Sequence, residues 1–158
     1  MSDEAALQAL LARVRSERNA ATTALMREAG VDTLLLGQPD DIRYVCDYRS
    51  LIINETADWM LAVVDDTGQT DIFGAHVREA VERPPAELPA VRAVKPLPAW
   101  VPVMAEPETV VRTIAAALGA ARRIGYDAVH PELLSALRSR LPGAELVYVG
   151  QELLRARR

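Results

Sequence analysis

The chain is poor in the residues that usually announce a specialised chemistry. It carries one cysteine, Cys46, and two histidines, His76 and His130, among 158 residues. A lone cysteine excludes an internal disulfide and any zinc site built on several thiolates, and it fits a reducing compartment. The two histidines lie far apart and show none of the ligand spacing of zincins or zinc fingers. Phe73 is the sole phenylalanine, so the core must be built from Leu, Val, Ile and Ala. The eight glycines are scattered singly, and neither the Gly-x-Gly-x-x-Gly fingerprint nor the Walker pattern occurs, which removes the common phosphate cradles. No serine sits in a Gly-x-Ser-x-Gly elbow.

Long apolar runs are missing too. None approaches the roughly 20 residues needed to cross a bilayer, and the start, Ser2-Asp3-Glu4, is acidic with no apolar signal core behind it. A cytoplasmic chain without a membrane partner is expected. Lys and Arg number 18 against 22 Asp and Glu, for a net charge of −4. A nucleic-acid binder concentrates basic residues on one face, so nucleic acid is excluded as a partner. The nearest approach to a basic cluster is Arg138, Arg140, Arg155, Arg157 and Arg158, which reads as a solvated helix face.

What is present is an ordinary globular mix, half apolar and a quarter charged, at the length of one domain. From about Ala5 to Ala29 the residues Leu7, Leu11, Val14, Ala21 and Leu25 trace the stripe of a long amphipathic helix, with Ser2 or Asp3 as N-cap and Gly30 as stop. Val31 to Leu36 reads as a buried strand. After the turn Gly37 to Asp41, with either aspartate as cap, Ile42, Val45 and Cys46 share one face of a short helix. Trp59 to Val64 and Thr70 to Phe73 flank Asp65-Asp66-Thr67-Gly68 as an antiparallel hairpin. His76 to Val81 fits a further short helix.

Seven of the ten prolines fall between Pro84 and Pro107, which forbids a long helix or central strand there and leaves room only for an edge strand around Val91 to Val94. That stretch is expected to be an ordered loop. Its Trp100, Val101, Val103 and Met104 are expected to cover an interface with another domain or subunit. Pro107 opens a second amphipathic helix through Val110, Val111, Ile114 and Leu118. A strand end at Ile124 to Asp127, a helix from Pro131 to Gly143, a strand at Leu146 to Val149 and a helix from Gln151 to Arg158 complete the chain. Hairpin strands come first and helix-linked strands later, which predicts an α/β fold with a mixed sheet flanked by helices.

Candidate catalytic groups do not assemble. Cys46 with His76 or His130 would make a small cysteine enzyme, but the thiol sits on the apolar face of a helix, where cysteine acts as a small hydrophobe. His130 precedes Pro131 and belongs at a helix entrance. Asp40-Asp41 and Asp65-Asp66 stand in turns, where aspartate is expected. The reading is therefore no catalytic and no metal-ligating residue in this chain.

Several segments resemble, in order, the N-terminal domain of the creatinase/prolidase/aminopeptidase P family. Met26 to Leu36 is similar to its opening helix, Gly-hydrophobe-Asp step and apolar strand. Asp41-Ile42-Arg43-Tyr44-Val45-Cys46-Asp47-Tyr48 is similar to the family's Asn-Ile-Arg-Tyr-Leu-Thr-Gly-Phe, with Asp41 for the common Asn and Cys46-Asp47 for Thr-Gly. Arg123-Ile124-Gly125-Tyr126-Asp127 and Leu153-Leu154-Arg155 fit the late strand and the helix leading onward. The resemblance implies a creatinase-type N-terminal fold (ribonuclease H-like motif) filling residues 1–158 as one domain. The catalytic pita-bread domain, with two divalent metal ions held by two Asp, one His and two Glu, would lie outside this chain.

The implied role is non-catalytic: supporting a homodimer, pairing with the catalytic domain and walling the active site of a metal-dependent hydrolase. The segment after the tyrosine motif, with Ile53, Asn54 and Glu55, is then the expected contribution to a substrate pocket. The alternative is a free-standing ligand- or protein-binding module of the same fold.

Overall fold

The computed structural model describes residues 3–49, 60–74, 88–97 and 106–158. In them, α1 (Asp3–Ala29), β1 (Thr33–Leu36), α2 (Pro39–Cys46), β2 (Met60–Val64), β3 (Thr70–Gly74), β4 (Val91–Pro96), α3 (Pro107–Leu118), β5 (Arg123–Tyr126), α4 (Pro131–Arg140), β6 (Glu145–Tyr148) and α5 (Gly150–Ala156) follow in order. The strands form one sheet in the order β4-β3-β2-β1-β5-β6. The β1–β2 and β2–β3 pairs are antiparallel, and β3–β4, β1–β5 and β5–β6 are parallel. The mixed sheet expected from element order is therefore present. Of the parallel pairs, β5 and β6 are joined directly through the helix α4.

Each face of the sheet carries its own core. Leu34, Leu36, Ala62 and Val64 pack with Met26 of α1, Ile42 of α2 and Leu153 of α5. On the opposite face Leu35, Leu61, Val63 and Ile124 meet Val111 and Ile114 of α3 and Leu133 and Leu137 of α4. Because both faces are covered, β1 and β2 are apolar at nearly every position instead of alternating. Pro107 and Pro131 stand in the first turns of α3 and α4, where the missing N–H is harmless and the fixed φ favours the helix.

Gly125 shows how closely the layers approach. It pairs with Leu34 across β1–β5, and a Cβ there would lie 2.7 Å from Leu34 Cδ2 and 3.2 Å from Val31 Cγ2. We expect Gly125→Ala to destabilise the chain by about 1–3 kcal/mol through overpacking. A urea midpoint unchanged from that of the parent chain would contradict this packing.

Some expectations need correction. Neither Asp40 nor Asp41 caps α2. Pro39 opens that helix, Gln38 is its N-cap without a side-chain bond, and both aspartates lie inside its first turn. Helix α4 ends at Arg140, not Gly143, with Leu141 as C-cap; Leu141 packs against the core and Pro142 cannot extend the helix. The strand in the proline-rich segment is longer than expected, running to Pro96 parallel to β3. Proline is tolerated there because β4 is an edge strand and Pro96 is its last residue. On α1 the apolar stripe does not face the core throughout. Asp3 to Leu10 are all exposed, Leu7 to 53% and Leu10 to 46%, and full burial begins only at Thr22.

Candidate functional site

The family-like segments converge on the C-terminal ends of β1 and β5, where open α/β sheets commonly bind ligands. Asp127 follows β5 directly, and its carboxylate accepts the backbone N–H of Gly37 (2.7 Å) and of Gln38 (2.9 Å) just beyond β1. A residue 90 positions away in sequence thus takes up the two backbone donors just ahead of α2. Asp41 is 4% exposed and Asp127 2%, and the two carboxyl groups act on one another's ionisation. Loss of hydration, and then the Asp127 charge, raise Asp41 to about 6 against the pull of Arg157. Burial likewise raises Asp127, against the two backbone N–H groups.

Arg157 closes this cluster from the end of α5, with Nε 3.1 Å from Asp41 Oδ1 and Nη1 3.5 Å from Asp40 Oδ2. Its side chain is 23% exposed, so one member of the arginine cluster read as a solvated face is in fact an internal counter-ion. Arg138, Arg140, Arg155 and Arg158 are exposed as expected. The carboxyl pair has the proton chemistry of a general acid. Yet both carboxyls are sealed from solvent and occupied by backbone and arginine donors, so the arrangement holds elements together.

A second charged cluster pins the edge of the sheet. Asp71, in β3, receives Nε of Arg92 (3.0 Å), Nη2 of Arg92 (3.1 Å) and Nζ of Lys95 (2.8 Å), both from β4. Arg92 also reaches Asp65 in the β2–β3 turn at 2.6 Å. Desolvation works against the Asp71 carboxylate, but these donors outweigh it and hold the group below the usual carboxylate range.

An open groove of about 590 Å³ lies between α1, β6 and α5. Ala21, Leu25 and Glu28 form one wall, Glu152 and Arg155 the other, and Tyr148 contributes to its lining. Tyr148 is 53% exposed and stacks edge-on with Tyr126, ring centroids 5.6 Å apart. Small apolar residues, one phenol and a mixed-charge rim suit contact with another surface and contain no nucleophile–base pair.

Cys46 is buried, donates to the carbonyl of Ile42 at 3.2 Å, and has its thiol pushed up to about 12 by burial; it is a packing residue. His130 caps α4, its Nδ1 accepting the Glu132 N–H at 3.3 Å. Among the described residues no group of three or more His, Cys, Asp or Glu is placed to hold a metal ion. No helix among them is long and apolar enough to cross a membrane. The pocket segment with Ile53, Asn54 and Glu55, the interface residues Trp100, Val101, Val103 and Met104, and the His76 to Val81 helix lie outside the described residues.

The αL conformation explains one departure in the tyrosine motif. Asp47 ends α2 at φ 57°, a geometry that favours glycine. Its carboxylate compensates by receiving Arg15 of α1 at 2.9 and 3.0 Å. The Asp41–Asp127–Arg157 cluster, by contrast, escaped the sequence reading. Its only trace was that Asp41 and Asp127 each belong to a family-like segment.

Comparison with known proteins places this architecture. The fold is similar to that of an Xaa-Pro dipeptidase from Bacillus anthracis (15% identity, TM-score 0.57), over 89% of this chain and 36% of that one. The N-terminal domain of the cytoplasmic peptidase PepQ from Mycobacterium tuberculosis H37Rv matches at 17% identity and TM-score 0.58, over 89% of this chain and 98% of that one. The prolidase from Pyrococcus horikoshii OT3 matches at 10% identity and TM-score 0.55, over 90% and 35%. This chain therefore spans about a third of the full-length dipeptidase and prolidase. A search of curated proteins finds no significant match. The sequence model of the creatinase/prolidase N-terminal domain matches residues 18–158, and the chain belongs to that family.

Proposed function

We propose that this chain is the non-catalytic N-terminal domain of a creatinase- or Xaa-Pro-peptidase-like metallohydrolase of the cytoplasm. In this reading it supports a homodimer and walls the active site formed by a following catalytic domain, which would hold two divalent metal ions. The observation that carries the reading is one of proportion. The same fold accounts for about a third of a full-length Xaa-Pro dipeptidase and nearly all of a chain solved as the N-terminal domain of a peptidase. The groove beside Tyr148 and the exposed first turns of α1 supply surface for such contacts. In the same reading Trp100, Val101, Val103 and Met104 belong to an interface, and Ile53, Asn54 and Glu55 to the substrate pocket, where an apolar wall beside polar groups orients small ligands.

The test compares the chain alone with the enzyme that contains it. With manganese, cobalt or zinc added, the isolated chain is expected to turn over neither creatine nor dipeptides ending in proline. In the containing enzyme, Asn54→Ala and Glu55→Ala should each lower kcat/KM about tenfold without loss of bound metal. Chelator-sensitive turnover by a homogeneous sample of the chain would overturn the accessory role. Unchanged kinetics in both variants would remove Asn54 and Glu55 from the pocket.

A further inference from the structure

The two edges of the sheet are built differently. Along β4 the edge carries Arg92, Lys95 and a final Pro96, and its register against β3 shifts between Thr70 and Asp71. Basic side chains, proline and irregular pairing are the usual guards against edge-to-edge association. Along β6, Glu145-Leu146-Val147-Tyr148, none of them occurs. Its single charge, Glu145, is matched by Arg123 Nε at 3.0 Å, and Tyr148 is an exposed aromatic.

The pairing with β5 fixes which backbone groups of β6 face outward. The N–H groups of Glu145 and Val149 donate to the carbonyls of Arg122 and Tyr126, and Val147 lies between them, opposite Gly125. Backbone direction alternates along a strand, so Leu146 and Tyr148 turn their N–H and C=O away from β5. Among the described residues no further strand meets them, because β6 ends the sheet. We propose that β6 pairs antiparallel with β6 of a second copy of this chain, about a twofold axis at Val147, which gives the homodimer of the preceding reading its surface.

The edge is complementary to itself in that register. Leu146 exchanges both its backbone bonds with Tyr148 of the copy, as in the hydrogen-bonded pair of an antiparallel ladder, and the twofold repeats the exchange. Side chains match as well. Leu146 meets Tyr148 of the copy on the face of α3 and α4, and Val147 meets its own counterpart on the face of α1. Centring the axis on Leu146 instead sets Tyr148 against Ala144, whose N–H is already bonded to the Leu141 carbonyl. The groove lined by Val147 and Tyr148 runs along the same edge, and its rim carries Glu28 and Glu152 with Arg155. A rim of both signs lets acid meet base when it faces its own copy, whereas a rim of one sign would repel itself.

Sedimentation of the chain from about 10 μM to about 1 mM, with amide hydrogen exchange read at both ends of that range, tests the pairing. A weak dimer is expected. The Leu146 and Tyr148 amides should gain about tenfold in protection with concentration, while those of Glu145 and Val149, already bonded to β5, stay protected throughout. Leu146→Pro removes an outward N–H and keeps the ladder to β5, and it should weaken association about tenfold. Leu146 also packs partly against the core. Tyr148→Lys, at a 53% exposed position, therefore provides the second variant, with a loss of about tenfold expected from a lysine on the edge. A chain that stays monomeric at about 1 mM would overturn the β6 pairing, and the activity comparison above would still decide the accessory role. A dimer in which the Leu146 and Tyr148 amides exchange as fast as in the monomer would also overturn it, while leaving the homodimer in place through another surface.

Discussion

Leu35→Ala is expected to be among the most damaging single substitutions in this chain, costing about 3–5 kcal/mol of folding stability. Leu35 lies in β1, at the middle of the six-stranded sheet, and is fully buried beneath α3 and α4. Its neighbours across the strands are Val63 of β2 and Tyr126 of β5. Both strands are held by their own backbone ladders, so they cannot close over the lost methyl groups. The penalty then includes both the transfer of the removed atoms and the cavity that remains. Chemical denaturation monitored by circular dichroism would measure it. A loss below about 1.5 kcal/mol would show that this side of the core relaxes more freely than its close packing implies.

The second large effect concerns Asp71 and depends on pH. Asp71→Ala is expected to cost about 2–3 kcal/mol near neutrality. The substitution removes the acceptor shared by Arg92 and Lys95, which ties the side chains of β4 to β3 beside their backbone ladder. Arg92 and Lys95 are 44% and 33% exposed, so water recovers part of their solvation. That keeps the cost below that of a fully sealed ion pair.

The pH sign follows from the depressed Asp71 pKa. A carboxylate held below its unfolded value contributes stability above that value and loses it as pH falls through the folded one. The difference between wild type and Asp71→Ala should therefore be full at neutral pH and shrink in acid, below the ordinary carboxylate pKa of about 4. A difference independent of pH across that range would mean that the donors act on Asp71 mainly through packing. Asp41 acts in the opposite direction, losing its contribution as pH rises through about 6, so the two clusters can be separated in one set of pH-dependent unfolding curves.

Much of the fold was legible because its signals are local. Pro107 and Pro131 mark helix starts, the apolar run around Leu34 to Leu36 marks a strand covered on both faces, and Asp65 to Gly68 marks a hairpin turn. Cys46 and His130 were also read correctly as a packed thiol and a helix-entrance residue. Helix ends were less legible, because they depend on which donors a distant group can reach. Asp40 and Asp41 have the composition of caps, but Gln38 is the N-cap and Asp127 fixes the backbone just ahead of it from across the sheet.

Sequence alone determined the class of this protein: the order of its elements, the mixed sheet, the absence of a phosphate cradle motif, and a family resemblance carried by short segments in fixed order. Hydrophobic periodicity, proline position and turn chemistry act over a few residues, so they can be read without the rest of the chain. Tertiary structure decided where charge is buried. Only the meeting of α2, the end of β5 and the end of α5 buries Asp41 beside Asp127 and raises its carboxyl, and only that meeting removes Arg157 from a basic tail and sets it against two aspartates. A carboxyl's protonation depends on desolvation and on charges a few ångströms away, and here those charges come from residues 86 and 116 positions further along the chain.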